Sequence, residues 1–389
     1  MTGLVLLLFA PLLSKPCQSG AEAQYRMAVR AAGENDKNQA EKLFRKAAET
    51  DPQCALARMN LGLILADQHR FAEAEREIRA AVNLSPDDPR ALTALGKVLG
   101  MLDRKSDAAA ALRTAIALEP KSAEAHFNLG IALAAQSDLE GALTAFSHAR
   151  NLSPMDPRIQ YNRGRVLLDL MRYDEAAADL EAAWRATPDD PGVLHLLAVA
   201  EKYLDHKARS ARLLQKLLTL EPQNAEAHYL LGQNSFYLGR ETEAISEWKR
   251  TLEIDPEHAE ALYSLSRVIS RHDPHAAATY RERVLQIKQV GQTTDRAEML
   301  NILAVNSAQV GDWRQAIAQF QEAVQLCGNC RLSAHLHKSL ALTYCHAGDF
   351  KSCEGELRLT MKLLPDDTDV SKALEMIRVR GPEPRDAPR

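Results

Sequence analysis

Apolar positions recur at helical spacing in short blocks along almost the whole chain. Between Pro86 and Pro120, Leu92, Leu95 and Leu99 fall three and four residues apart, the spacing of one face of a helix. A second block follows, in which Leu112 stands four residues beyond Ala108 and so on the same helical face. The pattern then returns: "AEAHFNLG" occupies residues 123–130 and "AEAHYLLG" residues 225–232. Pro52, Pro86, Pro120, Pro154, Pro188, Pro222 and Pro256 follow one another at steps of 34 residues. Gly62, Gly96, Gly130, Gly164, Ala198, Gly232 and Ser266 keep the same step, as do Ala40, Ala74, Ala108, Ala142, Ala176, Ser210 and Ala244. Series of rigid and small residues in phase at one period define an internal repeat.

Each unit reads as two helices. Asp88-Pro89, Asp156-Pro157 and Asp190-Pro191 place a capping carboxylate before a proline at the first helical position. Ser122 and Asn224 stand ready to cap the same place elsewhere, and Glu124, Glu226 and Glu260 lie in the first turn, where the helix dipole favours negative charge. The second helix carries the alanine series, with Leu112, Phe146, Leu180 and Trp248 four residues further on. Where two helices cross closely a branched side chain pushes their axes apart, so Gly130 on the first helix and Ala142 on the second are expected to meet. A further small series, Ala47, Ala81, Ala115, Ala149 and Ala183, is expected to let each second helix contact the following unit. The proline then ends that helix. One such unit cannot bury its apolar face alone; stacked neighbours can.

A 34-residue helix–turn–helix with Leu-Gly in the first helix, Ala and a bulky apolar residue in the second, then Pro, resembles the tetratricopeptide repeat. The resemblance implies an all-α, right-handed α-solenoid superhelix of about ten units. They are placed at 21–54, 55–88, 89–122, 123–156, 157–190, 191–224, 225–258 and 259–292, forming a block over 24–292, with a C-terminal pair over 297–367. A cap helix is expected over 368–379 and a disordered tail over 380–389. Some units depart from the pattern. Arg163 replaces the apolar Leu129 of the preceding unit, which reads as one buried apolar position lost. The unit at 191–224 has Ala198, Ser210 and Leu217 where its neighbours have Gly, Ala and a small residue. In the unit at 259–292, His272-Asp273-Pro274 is expected to shorten the interhelix turn, Glu282 is a poor core residue, and Gly291-Gln292-Thr293-Thr294 breaks the strict spacing, marking a seam between the regular block and the smaller C-terminal pair.

Composition narrows the function. The chain has 389 residues, 46% hydrophobic, 26% charged and only 5% aromatic, with a net charge of −4. That is ample material for a helical core and no electrostatic case for nucleic acid. At the N-terminus, Leu4 to Leu13 form an apolar block of signal-peptide length, followed by the small-x-small sequence Ala21-Glu22-Ala23. A signal peptide over 1–23 with cleavage after Ala23 is expected, giving an exported, periplasmic or secreted, chain without a membrane span after cleavage. No Lys or Arg precedes the block, and the chain stays cytoplasmic if the leader does not function. Lys15 and Pro16 argue against lipidation at Cys17.

No phosphate-cradling glycine loop, nucleophile elbow, HExxH or calcium loop occurs, so neither enzyme activity nor a cofactor is expected. Cys327-Gly328-Asn329-Cys330 with His335 and His337 gives the spacing C-x2-C-x4-H-x-H, which superficially suggests zinc. Two histidines at i and i+2 point to different sides of a helix, Cys345 and Cys353 belong on different helices of the last unit, and Cys353 takes a buried small position. No metal is therefore assigned; a disulfide involving Cys327 or Cys330 fits an exported chain.

The resemblance also implies where a partner lies, because in this family the first helices line the inner surface. Carried over by position, the face comprises Asn60, Lys97, Phe127, Asn128, Arg158, Tyr161, Asn162 and Arg165, continuing to Tyr229 and Arg267. Asn60, Asn128 and Asn162 share one repeat position, as in the asparagine ladder of O-linked N-acetylglucosamine transferases, and an amide there is able to donate to and accept from one peptide unit. Ala94 interrupts the row and Leu196 ends it. The carboxylate clamp of chaperone-binding repeats is matched only at Asn128 and Arg158; Thr93, Lys97 and Asn162 depart from it. The expected function is a non-enzymatic protein–protein scaffold or adaptor of the cell envelope, holding an extended peptide or helix of a partner. The alternatives are a regulatory or targeting module working with a separate enzyme such as a glycosyltransferase, and a cysteine-dependent redox- or metal-responsive scaffold.

Overall fold

The computed structural model describes Cys17 and residues 19–380; the apolar block 4–13 and the tail 381–389 lie outside the described residues. Among the described residues there are twenty α-helices and no strand. The first seven pairs keep the 34-residue step: α1 (Ser19–Gly33) with α2 (Lys37–Thr50), α3 (Ala55–Asp67) with α4 (Phe71–Leu84), α5 (Pro89–Met101) with α6 (Lys105–Leu118), α7 (Ala123–Ala135) with α8 (Leu139–Leu152), α9 (Pro157–Asp169) with α10 (Tyr173–Ala186), α11 (Pro191–Tyr203) with α12 (Lys207–Leu220), and α13 (Ala225–Tyr237) with α14 (Glu241–Ile254). Then come α15 (Ala259–Val268), α16 (Pro274–Gln309), α17 (Trp313–Cys327), α18 (Ser333–His346), α19 (Phe350–Leu363) and α20 (Thr368–Arg380). The helices form two compact units, Met1–Glu247 and Trp248–Arg389.

Local chemistry explains the regularity. The carboxylates of Asp88, Asp156 and Asp190 accept backbone N–H groups at the starts of α5, α9 and α11, each with proline in the first turn, while Ser122 and Asn224 cap α7 and α13. Each interhelix turn contains a residue in the left-handed region: Asn35, His69, Asp103, Ser137, Met171, Asp205 and Gly239, again 34 apart. In the eighth repeat Asp273 occupies that place but caps α16, so the turn is one residue shorter.

The small residues of the first helices make room for the second. A Cβ built on Gly130 meets the ring of Phe146 at 2.6–2.8 Å, one on Gly96 meets Leu112 at 2.4 Å, and one on Gly62 meets Ile78 at 2.4 Å and the backbone oxygen of Ala74 at 3.0 Å. The glycine thus admits the bulky residue of the second helix, because that side chain, four residues beyond the alanine, is long enough to reach across. The contact between repeats follows the expected series: Ala115 of α6 packs with Leu92 of α5 and Ala125 of α7.

One expectation is corrected. Arg163 does not empty a core position; it is buried, and its guanidinium reaches Asp179 of α10 at 2.8 Å. The 291–294 stretch breaks the 34-residue spacing without interrupting the helix, because α16 runs through it for 36 residues and joins the second helix of the eighth repeat to the first of the ninth. In the second unit, Ala297, Ala304, Phe320, Leu336 and Leu340 form one core. Val370 of α20 closes another with Ala341, Cys353 and Leu357.

Candidate protein-interaction face

Within the first compact unit the first helices of successive repeats adjoin, α3 to α5, α5 to α7, α7 to α9 and α9 to α11. Side chains on their shared face therefore form one row, although each comes from a separate repeat. The middle of the row is the best developed. Arg158 lies over the Phe127 ring at 5.1 Å from its centroid, and its guanidinium bonds Glu124 at 3.1 Å and Asp156 at 2.7 Å. The hydrogen bonds that the guanidinium donates to these carboxylates, that to Asp156 foremost, outweigh partial burial and raise the Arg158 pKa. Burial pushes the Asp156 carboxyl up, but hydrogen bonds from the Arg158 side chain and backbone outweigh it and leave the carboxyl below its ordinary value.

The asparagines all use the side-chain amide in the same way. Asn60 Nδ2 donates to the Leu56 carbonyl at 2.9 Å, Asn128 Nδ2 to that of Glu124 at 2.9 Å, and Asn162 Nδ2 to that of Arg158 at 2.8 Å. The second N–H of Asn60 reaches the Tyr25 hydroxyl at 3.2 Å and that of Asn128 approaches Glu124 Oε1 at 3.4 Å. The amides are thereby fixed on their own helices. Each amide spends one N–H on its own helix, and Asn162 keeps a second N–H beside its carbonyl oxygen.

Burial divides the predicted residues. Asn60, Phe127, Asn128 and Tyr229 are buried, whereas Lys97, Tyr161 and Asn162 are half-buried and Arg158 and Arg165 exposed. The structure brings Phe127, Asn128, Arg158 and Asn162 together on α7 and α9. Lys97 and Arg165 make no ion pair among the described residues. Arg267 belongs to the second compact unit, where it stands 5.7 Å from the Tyr263 ring centroid. Thr93 is buried with its hydroxyl on the Pro89 carbonyl, so it offers nothing to a partner.

Sequence reasoning placed Glu124 in the first turn of its helix and Asp156 at a cap but did not pair them with Arg158, and it missed Lys202. Lys202 hydrogen-bonds Gln233 and lies 5.7 Å from the Tyr203 ring centroid, and burial lowers its pKa. Tyr203 in turn stacks on Tyr173 at 4.6 Å. A signal existed, because Lys202 is the cation in a series otherwise made of Ala66, Gly100, Ala134, Leu168 and Phe236.

The cysteines are paired: Cys17 with Cys54, Cys327 with Cys330, and Cys345 of α18 with Cys353 of α19. His337 Nδ1 contacts Glu356 Oε2 at 2.6 Å, on the neighbouring helix, away from the sulfurs. Among the described residues no cluster of three or more metal-ligating side chains occurs, and no helix is long and apolar enough to cross a membrane.

Stacked helix pairs, with polar and aromatic side chains aligned along the first helices, define an α-solenoid. The profile of the tetratricopeptide repeat matches residues 25–89, 93–151, 145–191 and 195–259, more than half of the chain, and the chain belongs to that family. Proteins of this family are generally interaction scaffolds. No curated protein matches the chain. It is similar to the crystal structure of YrrB, described as a TPR protein with an unusual peptide-binding site, at 18% identity over 48% of this chain and 96% of that one, with a TM-score of 0.46. It is also similar to PilF of Pseudomonas aeruginosa, at 21% identity over 55% and 97% with a TM-score of 0.49. MamA of Desulfovibrio magneticus RS-1 is similar at 24% identity over 44% and 97%, with a TM-score of 0.42.

Proposed function

We propose that the chain holds an extended protein segment along the first-helix face of repeats two to five, as a non-enzymatic adaptor of the cell envelope. The observation that carries this reading is the fixed orientation of the Asn128 and Asn162 amides, each anchored to its own helix by Nδ2. Their carbonyl oxygens stand as acceptors one repeat apart, suited to backbone N–H groups of an extended chain whatever its side chains. Lys97 and Arg165 flank them as cations without an ion pair among the described residues, which favours an acidic segment. The likeness to an asparagine ladder rests on these positions alone. Export is supported by the Cys327–Cys330 and Cys345–Cys353 disulfides, which persist in oxidising compartments.

The test is affinity capture by the full chain from an envelope extract of the source cells, with Asn128→Ala/Asn162→Ala/Arg158→Ala run alongside. A protein held by the wild type and lost by the triple variant supports the reading. Equal retention by both places binding away from this face and overturns it.

A further inference from the structure

In the regular repeats the first helix is covered on one side by the second helix of the repeat before it. Ala125 and Leu129 of α7 are buried, Ala125 against Ala115 of the preceding α6. The ninth repeat is different. Its first helix is the C-terminal half of α16, and the second helix of the eighth repeat is the N-terminal half of the same rod. A straight helix cannot pack on its own continuation, so the usual cover is missing. Aligning Ala304 with Gly130 and Asp312 with Asp138 puts Met299 at the place of Ala125 and Leu303 at that of Leu129. They are 59% and 45% exposed, and Ile302 and Leu285 are 61% and 66% exposed.

These side chains lie in a row. Leu285, Lys288, Gln292, Asp295, Met299 and Ile302 are spaced three and four residues apart, the repeat of a coiled-coil seam, and all are exposed. We propose that this seam is a self-association surface on which a second copy of the chain lays its own α16 antiparallel. What the row lacks is a helix, and the second copy supplies one. The charges choose both occupant and direction. Lys288 and Asp295 lie seven residues apart on the seam, and neither has an ion-pair partner among the described residues. An antiparallel two-fold arrangement centred between them sets Lys288 of each copy against Asp295 of the other. A parallel pair would align Lys288 with Lys288. The patch is thus self-complementary, as a two-fold interface requires, and the same register brings Met299 of each copy beside Leu285 of the other.

The test is sedimentation equilibrium of the full chain across the micromolar range, with helicity checked by circular dichroism. A dimer is expected. Lys288→Asp and Asp295→Lys each place like charges across the interface and weaken dimerisation by about tenfold or more, while the double exchange Lys288→Asp/Asp295→Lys restores it. Leu285→Asp/Met299→Asp, at exposed positions, abolishes the dimer without loss of helix. A wild-type monomer throughout overturns the proposal, as does a dimer indifferent to the charge reversals.

Discussion

Arg163 of α9 and Asp179 of α10 face each other inside the fifth repeat, Nη1 to Oδ2 at 2.8 Å, with both side chains 7% exposed. Arg150 of α8 reaches the other carboxylate oxygen at 3.1 Å. Burial pushes the Asp179 carboxyl above its ordinary value although both arginines pull it down. Arg163 Nε, buried, has no hydrogen-bond partner. In the fourth repeat the corresponding residues are Leu129 and Ala145. Removing Asp179 alone leaves the buried guanidinium only its longer contact to Glu175, at 3.8 Å, so Asp179→Ala is expected to cost about 3 kcal/mol. Arg163→Leu/Asp179→Ala reproduces the fourth repeat and is expected to recover most of that loss. Urea unfolding of the three proteins checks this; a double variant as unstable as the single one contradicts it.

The glycine series predicts opposite effects for one substitution. At Gly130 a methyl group meets the fully buried Phe146 ring, which has nowhere to move, and Gly130→Ala is expected to destabilise by about 1–3 kcal/mol. At Gly100, exposed on α5 with nothing within 4 Å of a built Cβ, alanine is expected to stabilise by up to about 1 kcal/mol through helix propensity. Equal shifts in thermal midpoint for the two would refute the packing explanation.

Gly291 tests the continuity of α16. It lies within the 36-residue helix, outside the left-handed region, and a Cβ there meets nothing within 4 Å. Gly291→Ala is expected to stabilise the chain by roughly 0.5–1 kcal/mol. Were residues 291–294 a turn that needs a left-handed residue, alanine would destabilise instead.

Asp156 sets a pH dependence with a definite sign. Its folded pKa is depressed, so its contribution is present above the unfolded value near pH 4 and is lost as pH falls through the folded value. Asn caps as well as Asp, which lets Asp156→Asn isolate the charge. With Arg158 43% exposed, solvent screening holds the effect to about 1 kcal/mol or less. The stability difference between wild type and Asp156→Asn is expected to be largest at pH 7 and to close towards pH 2. A gap independent of pH would mean that the Arg158 pair does not set the shift.

The parts legible in the sequence were those repeated at fixed phase. The 34-residue step located the regular helix pairs, and Asp88, Asp156, Asp190, Ser122 and Asn224 marked helix starts because capping is a local interaction. The break in spacing at Gly291 was legible, but the helix running through it was not, because a single helical glycine costs only about 1 kcal/mol and the continuous helix on either side outweighs it. The interaction face was legible as positions and less so as chemistry. Periodicity says which way Asn128 points, but not that its Nδ2 is already bonded to its own helix, nor that Glu124 and Asp156 answer Arg158. Asp179 escaped notice because its significance depends on Arg163 and Arg150 arriving from two other helices, a coincidence of side-chain reach that no single-helix pattern records.

The N-terminus supplies the last test. Ala21-Glu22-Ala23, read as a cleavage site, lies within α1, where Ala21 is fully buried and packs with Cys17, Ala47, Ala48 and Cys54. Cleavage after Ala23 would remove Cys17 and leave Cys54 without its disulfide partner. The two processing outcomes therefore differ in thiol count. A chain retaining Cys17, unfolded without reductant, is expected to show no free thiol, because all six cysteines are paired. A chain cut after Ala23 is expected to show one, at Cys54. Intact mass and alkylation of protein recovered from the source cells read both quantities together. A cut chain without a free thiol would mean that Cys54 has taken another partner, and an uncut chain with two would mean that the Cys17–Cys54 bridge does not form.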